Sequence, residues 1–264
     1  MKILKYYEIW KINILNTLMY FIDYASYSVL TAVVIFIFVN MWKTIYSTNL
    51  AVEGFTLVIM IWYLVLTESM VMNMGGTELI KELNQEVKSG DLSYTLNKPY
   101  NYILYHYAKS LCQWMIGFTT SILIAGLVAF FLIGKLKLSF IILPFLILIL
   151  LLAFTIDFLI SSIIGIAAFW LEDTTSFRFV YEKLVFILGG MLIPLEVFPK
   201  WLSSISAKLP FSYIVYYPAK LFVMFNFTLF WNVLLIQIVY ILVFGLILAL
   251  IYRLAIRKVN IHGG

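Results

Sequence analysis

The stretch from Phe140 to Trp170 is FIILPFLILILLLAFTIDFLISSIIGIAAFW, and Asp157 is its only charged side chain. A helix that crosses the hydrocarbon core of a bilayer needs roughly 20 apolar residues, each rising about 1.5 Å. This stretch is longer than that. It therefore predicts a transmembrane helix that is tilted, or whose ends project into water.

Five further apolar runs lie along the chain. The six predicted spans are Leu18–Met41, Phe55–Met74, Ile103–Ile133, Phe140–Trp170, Phe179–Leu195 and Phe227–Tyr252. Of the 264 residues, 64% are hydrophobic and 12% are charged, whereas a soluble domain averages about 25% charged residues. The composition excludes an ordinary soluble protein. We expect an all-α polytopic membrane protein, with one transmembrane domain over residues 1–264.

Residues 1–17 predict a short helix of their own. Apolar side chains recur there at helical spacing, with Lys5 and Lys11 elsewhere around the wheel. This pattern is typical of an interfacial helix lying on the membrane surface, and a plain extension of the first span is the alternative. The first run has full spanning length and no small-x-small cleavage site, so we expect no cleaved signal peptide.

Basic residues predict the orientation of the spans, because cytoplasmic loops are enriched in Lys and Arg. With the N-terminus in the cytoplasm, 12 of the 18 Lys and Arg residues fall inside, including all three Arg. Six spans then place both termini in the cytoplasm. The net charge of +5 suits an anionic inner leaflet. No basic stripe with interleaved aromatic residues indicates a nucleic-acid partner.

Few residues in the sequence predict chemistry of their own. The single cysteine, Cys112, lies in an apolar run, and the two histidines, His106 and His262, are far apart. Because no cluster has metal-ligand spacing, we expect no metal. There is no Gly-x-x-x-x-Gly-Lys-[Ser/Thr] phosphate loop, so ATP and Mg²⁺ would bind another chain. We find no catalytic constellation, and we expect a protein that is not an enzyme.

Residues 76–101 form the one sizeable polar stretch with helical amphipathicity. Thr77 can cap a helix whose apolar face would hold Leu79, Ile80, Leu83 and Val87. Glu78 and Lys81 have a favourable helical spacing, whereas Glu82 and Glu86 are like charges one turn apart. Two interpretations stay open: a solvated loop that covers its own apolar stripe, or a docking element that inserts into a groove on a cytosolic partner.

Motifs in this stretch and beyond resemble ABC-2-type permeases. The loop Glu86-Val87-Lys88-Ser89-Gly90-Asp91-Leu92, followed by Leu96-Asn97-Lys98-Pro99-Tyr100-Asn101, is similar to a bacterial subfamily with acidic-x-Arg-x-Gly-Asp-Leu and then Leu-x-x-Pro-x-Asn. Further matches follow in order: Phe169-Trp170, Gly189-Gly190, Ile193-Pro194-Leu195, Phe198-Pro199, Leu209-Pro210-Phe211, Tyr217-Pro218-Ala219 and Gly263-Gly264. Lys88 stands where the family favours Arg, and Gly189 where it often has Ser.

The resemblance implies the permease subunit of an ATP-driven exporter with a type V exporter-like transmembrane domain. Its coupling helix would seat on a separate ATP-binding cassette subunit through Glu78, Leu79, Glu82, Leu83, Glu86, Val87, Lys88, Gly90 and Asp91. Two ATPase copies and a second permease, identical or homologous, are implied in a bacterial cytoplasmic membrane. An amphipathic, lipid-like, drug-like or peptide cargo would leave the cytoplasm or the inner leaflet.

Residues 196–226 are broken into short pieces by prolines and carry an apolar helical stripe that includes Trp201. They predict either a lid in the outer headgroup layer or, as the resemblance implies, a pair of short re-entrant helices at an outer gate. The candidate gate residues are Pro194, Phe198, Pro199, Trp201, Pro210 and Phe211.

Three acids lie within the apolar runs, where a central charge costs about 2.5–3.5 kcal/mol. Asp23 and Glu68 are close enough to the cytoplasmic ends of their spans to snorkel into water. Asp157 lies deeper, either as a carboxyl satisfied near Thr155, Ser161 or Ser162, or as part of a pathway. An ion-coupled secondary transporter that uses Asp157 is therefore an alternative, and a membrane-embedded enzyme is a weaker one.

Overall fold

The computed structural model describes residues 2–48, 54–74, 76–89, 100–171 and 174–262, which form helices and turns with no extended strand among them. The helices are α1 (Lys2–Met19), α2 (Phe21–Ser47), α3 (Leu57–Val71), α4 (Gly76–Ser89), α5 (Tyr102–Ile133), α6 (Leu143–Ile166), α7 (Thr175–Leu188), α8 (Lys200–Ser206), α9 (Pro210–Ile214), α10 (Tyr216–Val223) and α11 (Phe227–His262). Short 3₁₀ turns flank α6 at Phe140–Ile142 and Ala167–Phe169.

Four helical stretches are long and apolar enough to cross a membrane. They are Phe21–Ser47, Tyr102–Ile133, Phe140–Phe169 and Phe227–Arg257. Many of their apolar side chains are exposed, as a lipid-facing surface requires. The predicted all-α polytopic fold is confirmed, and the long first, third, fourth and sixth runs are helical.

The second and fifth predicted spans are shorter than expected. Helix α3 has 15 residues, about 22 Å, and its middle is buried on all sides. The predicted span Phe179–Leu195 was wrong as a continuous helix, because α7 ends at Leu188. Gly190 adopts a positive φ of 70°, and the chain turns back so that the Met191 N–H meets the Phe186 carbonyl at 3.4 Å.

Helix α1 is separated from α2 by a break at Tyr20, so the first spanning helix begins at Phe21 and not at Leu18. Helix α1 packs along α5, where the Cys112 thiol lies 3.7 Å from the Trp10 carbonyl oxygen. The predicted N-terminal helix is therefore present as a separate element.

Buried polar side chains tie the long helices to one another. Ser28 of α2 bonds Thr120 of α5 at 2.9 Å, and the Gln237 amide of α11 donates to the backbone carbonyls of Ile149 (3.3 Å) and Tyr213 (2.9 Å). Hydrogen bonds of this kind hold helices together where lipid removes the hydrophobic driving force between them.

The two ends of the bundle differ. Helix α4 lies at one end, against α6 and near the start of α7. At the opposite end, the chain between α7 and α11 folds into α8, α9 and α10, and the last two pack among α3, α6 and α7. This arrangement leaves α4 at the edge of the bundle and buries α9 and α10 within it.

Candidate coupling helix and internal cavity

The apolar face of α4 is buried by the chain itself. Leu79 and Leu83 are 3% and 1% exposed, and they belong to one apolar cluster with Phe154, Phe158 and Ile166. Of the two interpretations that the sequence left open, the structure shows the apolar stripe covered by the spans of the same chain. A partner that meets α4 therefore does not meet Leu79 or Leu83.

Two glycines allow α4 to approach α6 closely. A Cβ atom on Gly165 of α6 would lie 2.6 Å from the Leu83 Cδ1 atom and 2.9 Å from its Cβ. A Cβ atom on Gly76, at the start of α4, would lie 2.4 Å from the Ser161 hydroxyl oxygen. Any larger residue at either place would push the two helices apart.

The face of α4 that remains exposed is polar. Glu78 and Lys81 form an exposed ion pair at 3.2 Å, and Gln85 and Lys88 are also exposed. Val87 belongs to α4. Gly90 and Asp91, also predicted to contact the ATPase, lie outside the described residues. A partner at this end of the bundle would thus meet charged and amide side chains.

The remaining acids of α4 turn toward α5. Lys109 of α5 pairs with Glu82 at 2.6 Å, and the Tyr102 hydroxyl donates to the Glu86 carboxylate at 2.5 Å. Burial raises the pKa of the Glu86 carboxyl, but the nearby His106 ring, the hydrogen bond from Tyr102 and the charge of Lys109 outweigh it, so the net pKa shift is downward. Glu86 therefore stays ionised to lower pH than a free glutamate.

A cavity of about 1060 Å³ opens beside α4, between α1, α2, α3, α5 and α7. It has a volume typical of sites that hold drug-sized molecules. Its lining is mixed polar and aromatic, and includes Asn16, Tyr20, Asp23, Tyr24, Tyr27, Asn73, Glu78, Gln113, Glu182 and Phe186. Glu78 of α4 thus lines this cavity.

Asp157 is not among the residues that line this cavity. It is 3% exposed, and its Oδ1 atom accepts a hydrogen bond from the Tyr181 hydroxyl at 2.7 Å, which links α6 to α7. Thr155 instead bonds Tyr107 at 2.9 Å. The carboxyl is held within the bundle through Oδ1, by a partner that the sequence did not indicate, while its buried Oδ2 atom has no hydrogen-bond partner among the described residues.

The other two acids within the runs differ from each other. Glu68 is 1% exposed, so the expectation that it snorkels into water was wrong; its place in the centrally packed α3 encloses it. Asp23 is exposed and faces the cavity. One acid is thus enclosed by the bundle, and the other is available to a solute.

The gate candidates all lie at the end of the bundle opposite α4, outside the cavity lining. Pro194, Phe198 and Pro199 flank the 3₁₀ turn Leu195–Val197. Trp201 is 66% exposed on α8, whereas Pro210 and Phe211 open the largely buried α9. The structure places the gate candidates in one segment, and Phe211 contacts the ring of Tyr181, whose hydroxyl bonds Asp157, with the two ring centroids 6.2 Å apart.

Sequence reasoning missed most of the cavity. Tyr20, Tyr24 and Tyr27 recur at helical spacing around Asp23, and this polar aromatic stripe within an apolar run was the available signal. Glu182 and Phe186 carried no comparable signal, because α7 looked like an ordinary span.

Comparison with known families decides the class of protein. Residues 29–263 match the profile described as ABC-2 family transporter protein. The chain belongs to the ABC-2 transporter family. It is thus a permease of a multi-pass membrane transporter, in a family that generally works with an ATP-binding cassette subunit. No curated protein was found to be similar to the chain in sequence.

Proposed function

We propose that this ABC-2 permease couples ATP hydrolysis on a separate subunit to export, through a dock on the polar face of α4. The dock consists of Glu78, Lys81, Gln85 and Lys88. The observation that carries the proposal is that α4 buries its apolar face in its own bundle while it presents these charged and amide groups outward. ATP and Mg²⁺ would bind to the partner subunit only.

Force applied to α4 would reach the spans directly. Helix α4 is packed onto α6 through Leu83 and is joined to α5 by the Lys109–Glu82 ion pair. It therefore cannot move far without α5 and α6, and Gln113 and Lys109 of α5 line the cavity. Movement of the partner would thus open or close the cavity as a rigid-body step.

The cavity favours an amphipathic cargo, because carboxylate, amide and ammonium groups share its wall with tyrosine and methionine side chains. We propose a lipid-like, drug-like or peptide cargo that moves outward from the cytoplasm or the inner leaflet. The bias of basic residues supports both termini in the cytoplasm of a bacterial cell. Two ATPase copies and a second permease, identical or homologous, would complete the transporter.

Co-purification tests the proposal. The chain is expressed with its genomic neighbours and isolated, and we expect an ATP-binding protein to co-elute. Leu83 is buried in the contact between α4 and α6, so replacing it would disturb the fold. The variant that tests docking is therefore Lys81→Glu with Lys88→Glu, on the exposed face. The matched control is Lys135→Glu with Lys137→Glu, two exposed lysines at the other end of the bundle.

Loss of the ATPase from the α4 variant, with full recovery from the control, is the expected result. Equal recovery from both variants would contradict the dock. To separate ATP-driven from ion-coupled transport, uptake of a fluorescent amphipath into inverted vesicles is measured with ATP and after the proton gradient is collapsed. Uptake that needs the gradient and not ATP would overturn the proposed function.

A further inference from the structure

His106 lies between the two acids of α4 that face α5. It is 1% exposed, and it shares one face of α5 with Tyr102 and Lys109. Its Nδ1 atom is 3.9 Å from a Glu82 carboxylate oxygen, and its Nε2 atom is 3.8 Å from a Glu86 carboxylate oxygen. Each ring nitrogen thus faces a different carboxylate, on successive turns of α4.

The charges of this cluster balance only with a protonated imidazole. Glu82 and Glu86 carry two negative charges one helical turn apart, an arrangement that destabilises a helix by itself. Lys109 supplies one positive charge, at 2.6 Å from Glu82. With a neutral His106, the half-buried cluster keeps an uncompensated negative charge, and an imidazolium cancels it.

The hydrogen-bonding capacity of imidazole leads to the same state. Neutral imidazole has one N–H donor and one acceptor, whereas imidazolium has two donors. Two ionised carboxylates offer acceptors only. A neutral His106 can therefore serve one acid and must present a lone pair to the other, but a protonated His106 can serve both.

We propose that His106 is a positioning residue which, when protonated, clasps Glu82 and Glu86 and holds α4 against α5. The clasp lies within this chain and needs no partner subunit. Its consequence, that the contact between α5 and the proposed coupling helix depends on pH, rests on the proposed function. Loss of the imidazole proton leaves Lys109 and Tyr102 as the remaining contacts from α5 to the two acids.

The proton on His106 sets the charge of this cluster. The titratable groups that face it are Glu82, Glu86, Tyr102, Tyr105 and Lys109, and Tyr252 of α11 stacks on Tyr102. Imidazole is the side chain that ordinarily changes charge between about pH 5 and pH 8. The clasp is therefore complete while the imidazole is protonated and loosens once the proton is lost.

The test follows the opening of α4 by thiol labelling of the purified chain in lipid nanodiscs, without any ATPase. In a Cys112→Ala background, Leu79→Cys reports the buried face of α4 and Gln85→Cys reports its exposed face. The ratio of the two maleimide labelling rates cancels the ordinary pH dependence of thiol reactivity. Each rate is measured at pH 6 and at pH 8.5.

We expect the labelling ratio to rise about tenfold from pH 6 to pH 8.5, as the loss of one charge-assisted contact of about 1.4 kcal/mol would produce. With His106→Gln added, the ratio should be high and independent of pH, and with His106→Lys it should be low and independent of pH. A pH-dependent ratio that survives His106→Gln would overturn the proposal.

A second measurement covers the case in which His106→Gln does not fold. The chain with His262→Gln has one histidine, so ¹⁵N-histidine labelling reports His106 alone. We expect signals of the doubly protonated ring at pH 6 that convert to the neutral ring as pH rises. A ring that is neutral throughout this range would overturn the proposal, whether or not an ATPase docks on α4.

Discussion

The short helix α4 and the short helices α9 and α10 both lie between longer helices, but the bundle holds them differently. Helix α4 buries one face against α6 and exposes charged groups on the other. In α9 and α10, residues such as Ile214 and Ala219 are wholly buried. Amphipathicity keeps α4 at the edge, where a partner can contact it, whereas α9 and α10 are mostly apolar and pack inside the bundle.

Polar groups in the two regions also have different roles. Around α4, ionic side chains join α4 to α5 and leave further charges free for a partner. Around α10, the Tyr216 hydroxyl and the Lys220 ammonium converge on Glu196, each at 2.6 Å, and tie the segment to itself. One region joins two long helices and exposes further charges, and the other joins the parts of one short segment.

The largest expected effect comes from emptying the contact between α4 and α6. Leu83→Ala should lower the free energy of unfolding by about 2–5 kcal/mol, because it leaves a cavity at a fully buried position. Thermal unfolding in detergent micelles measures the change. The matched substitution at the other end is Trp201→Ala, which should stay within about 0.5 kcal/mol because Trp201 is exposed. Equal losses of unfolding free energy in the two variants would contradict this difference between the two regions.

A smaller effect is expected from overfilling the same contact. Gly165→Ala should lower the free energy of unfolding by about 1–3 kcal/mol, since its Cβ would overlap Leu83. Thermal unfolding of a double-mutant cycle with Leu83→Ala provides the check. The combined loss should be less than the sum of the two, because the shortened side chain removes the overlap with Cδ1 and leaves only the close contact with the Leu83 Cβ. Full additivity would show that the two residues do not touch.

The region around α10 should lose less stability when a hydroxyl group is removed. Tyr216→Phe removes the hydrogen bond to Glu196 and should lower the free energy of unfolding by about 1 kcal/mol. Tyr27→Phe is the control, because Tyr27 is 68% exposed. The midpoint of thermal unfolding should be lower for Tyr216→Phe than for the control. The reverse order would contradict the stabilising contact between Tyr216 and Glu196.

The smallest expected effect concerns pH on the acid side. The pKa of Glu86 is lowered in the folded chain, so its ionised form stabilises the fold above the unfolded-state pKa of about 4.3, and this stabilisation is lost as pH falls through the lower folded pKa. Glu86→Gln should reduce the decline of the unfolding midpoint between pH 6 and pH 3.5. Glu78→Gln, at an exposed site, is the control, and an equal change in both variants would contradict the role of the Tyr102 and Lys109 contacts of Glu86.

Local signals in the sequence predicted much of the fold. Helix α5 begins within one residue of its predicted start, because Asn101 caps it by accepting a hydrogen bond from the Leu104 N–H at 3.0 Å. The end of α7 was missed because hydropathy counts the turn at Gly190 as part of an apolar run. Hydropathy counts glycine as apolar, but its ability to adopt a positive φ is what allows the chain to turn after α7.

Contacts between distant segments could not be predicted in the same way. An amphipathic helix has the same pattern whether its apolar face meets its own chain or a partner. The sequence therefore could not show which of the two Leu83 contacts. The pair Asp157–Tyr181 joins residues on two different helices. The repulsive spacing of Glu82 and Glu86 was visible in the sequence, but Lys109, which pairs with Glu82, could not be predicted from it.

The most direct measurement is photo-crosslinking from the exposed face of α4 in intact cells. A photoreactive amino acid is placed at Gln85, and in a matched chain at Lys135, at the opposite end of the bundle. We expect the Gln85 position to capture an ATP-binding subunit and the Lys135 position to capture none. If neither position captures an ATP-binding protein in cells that express the genomic neighbours, or if only Lys135 does, the polar face of α4 is not the dock.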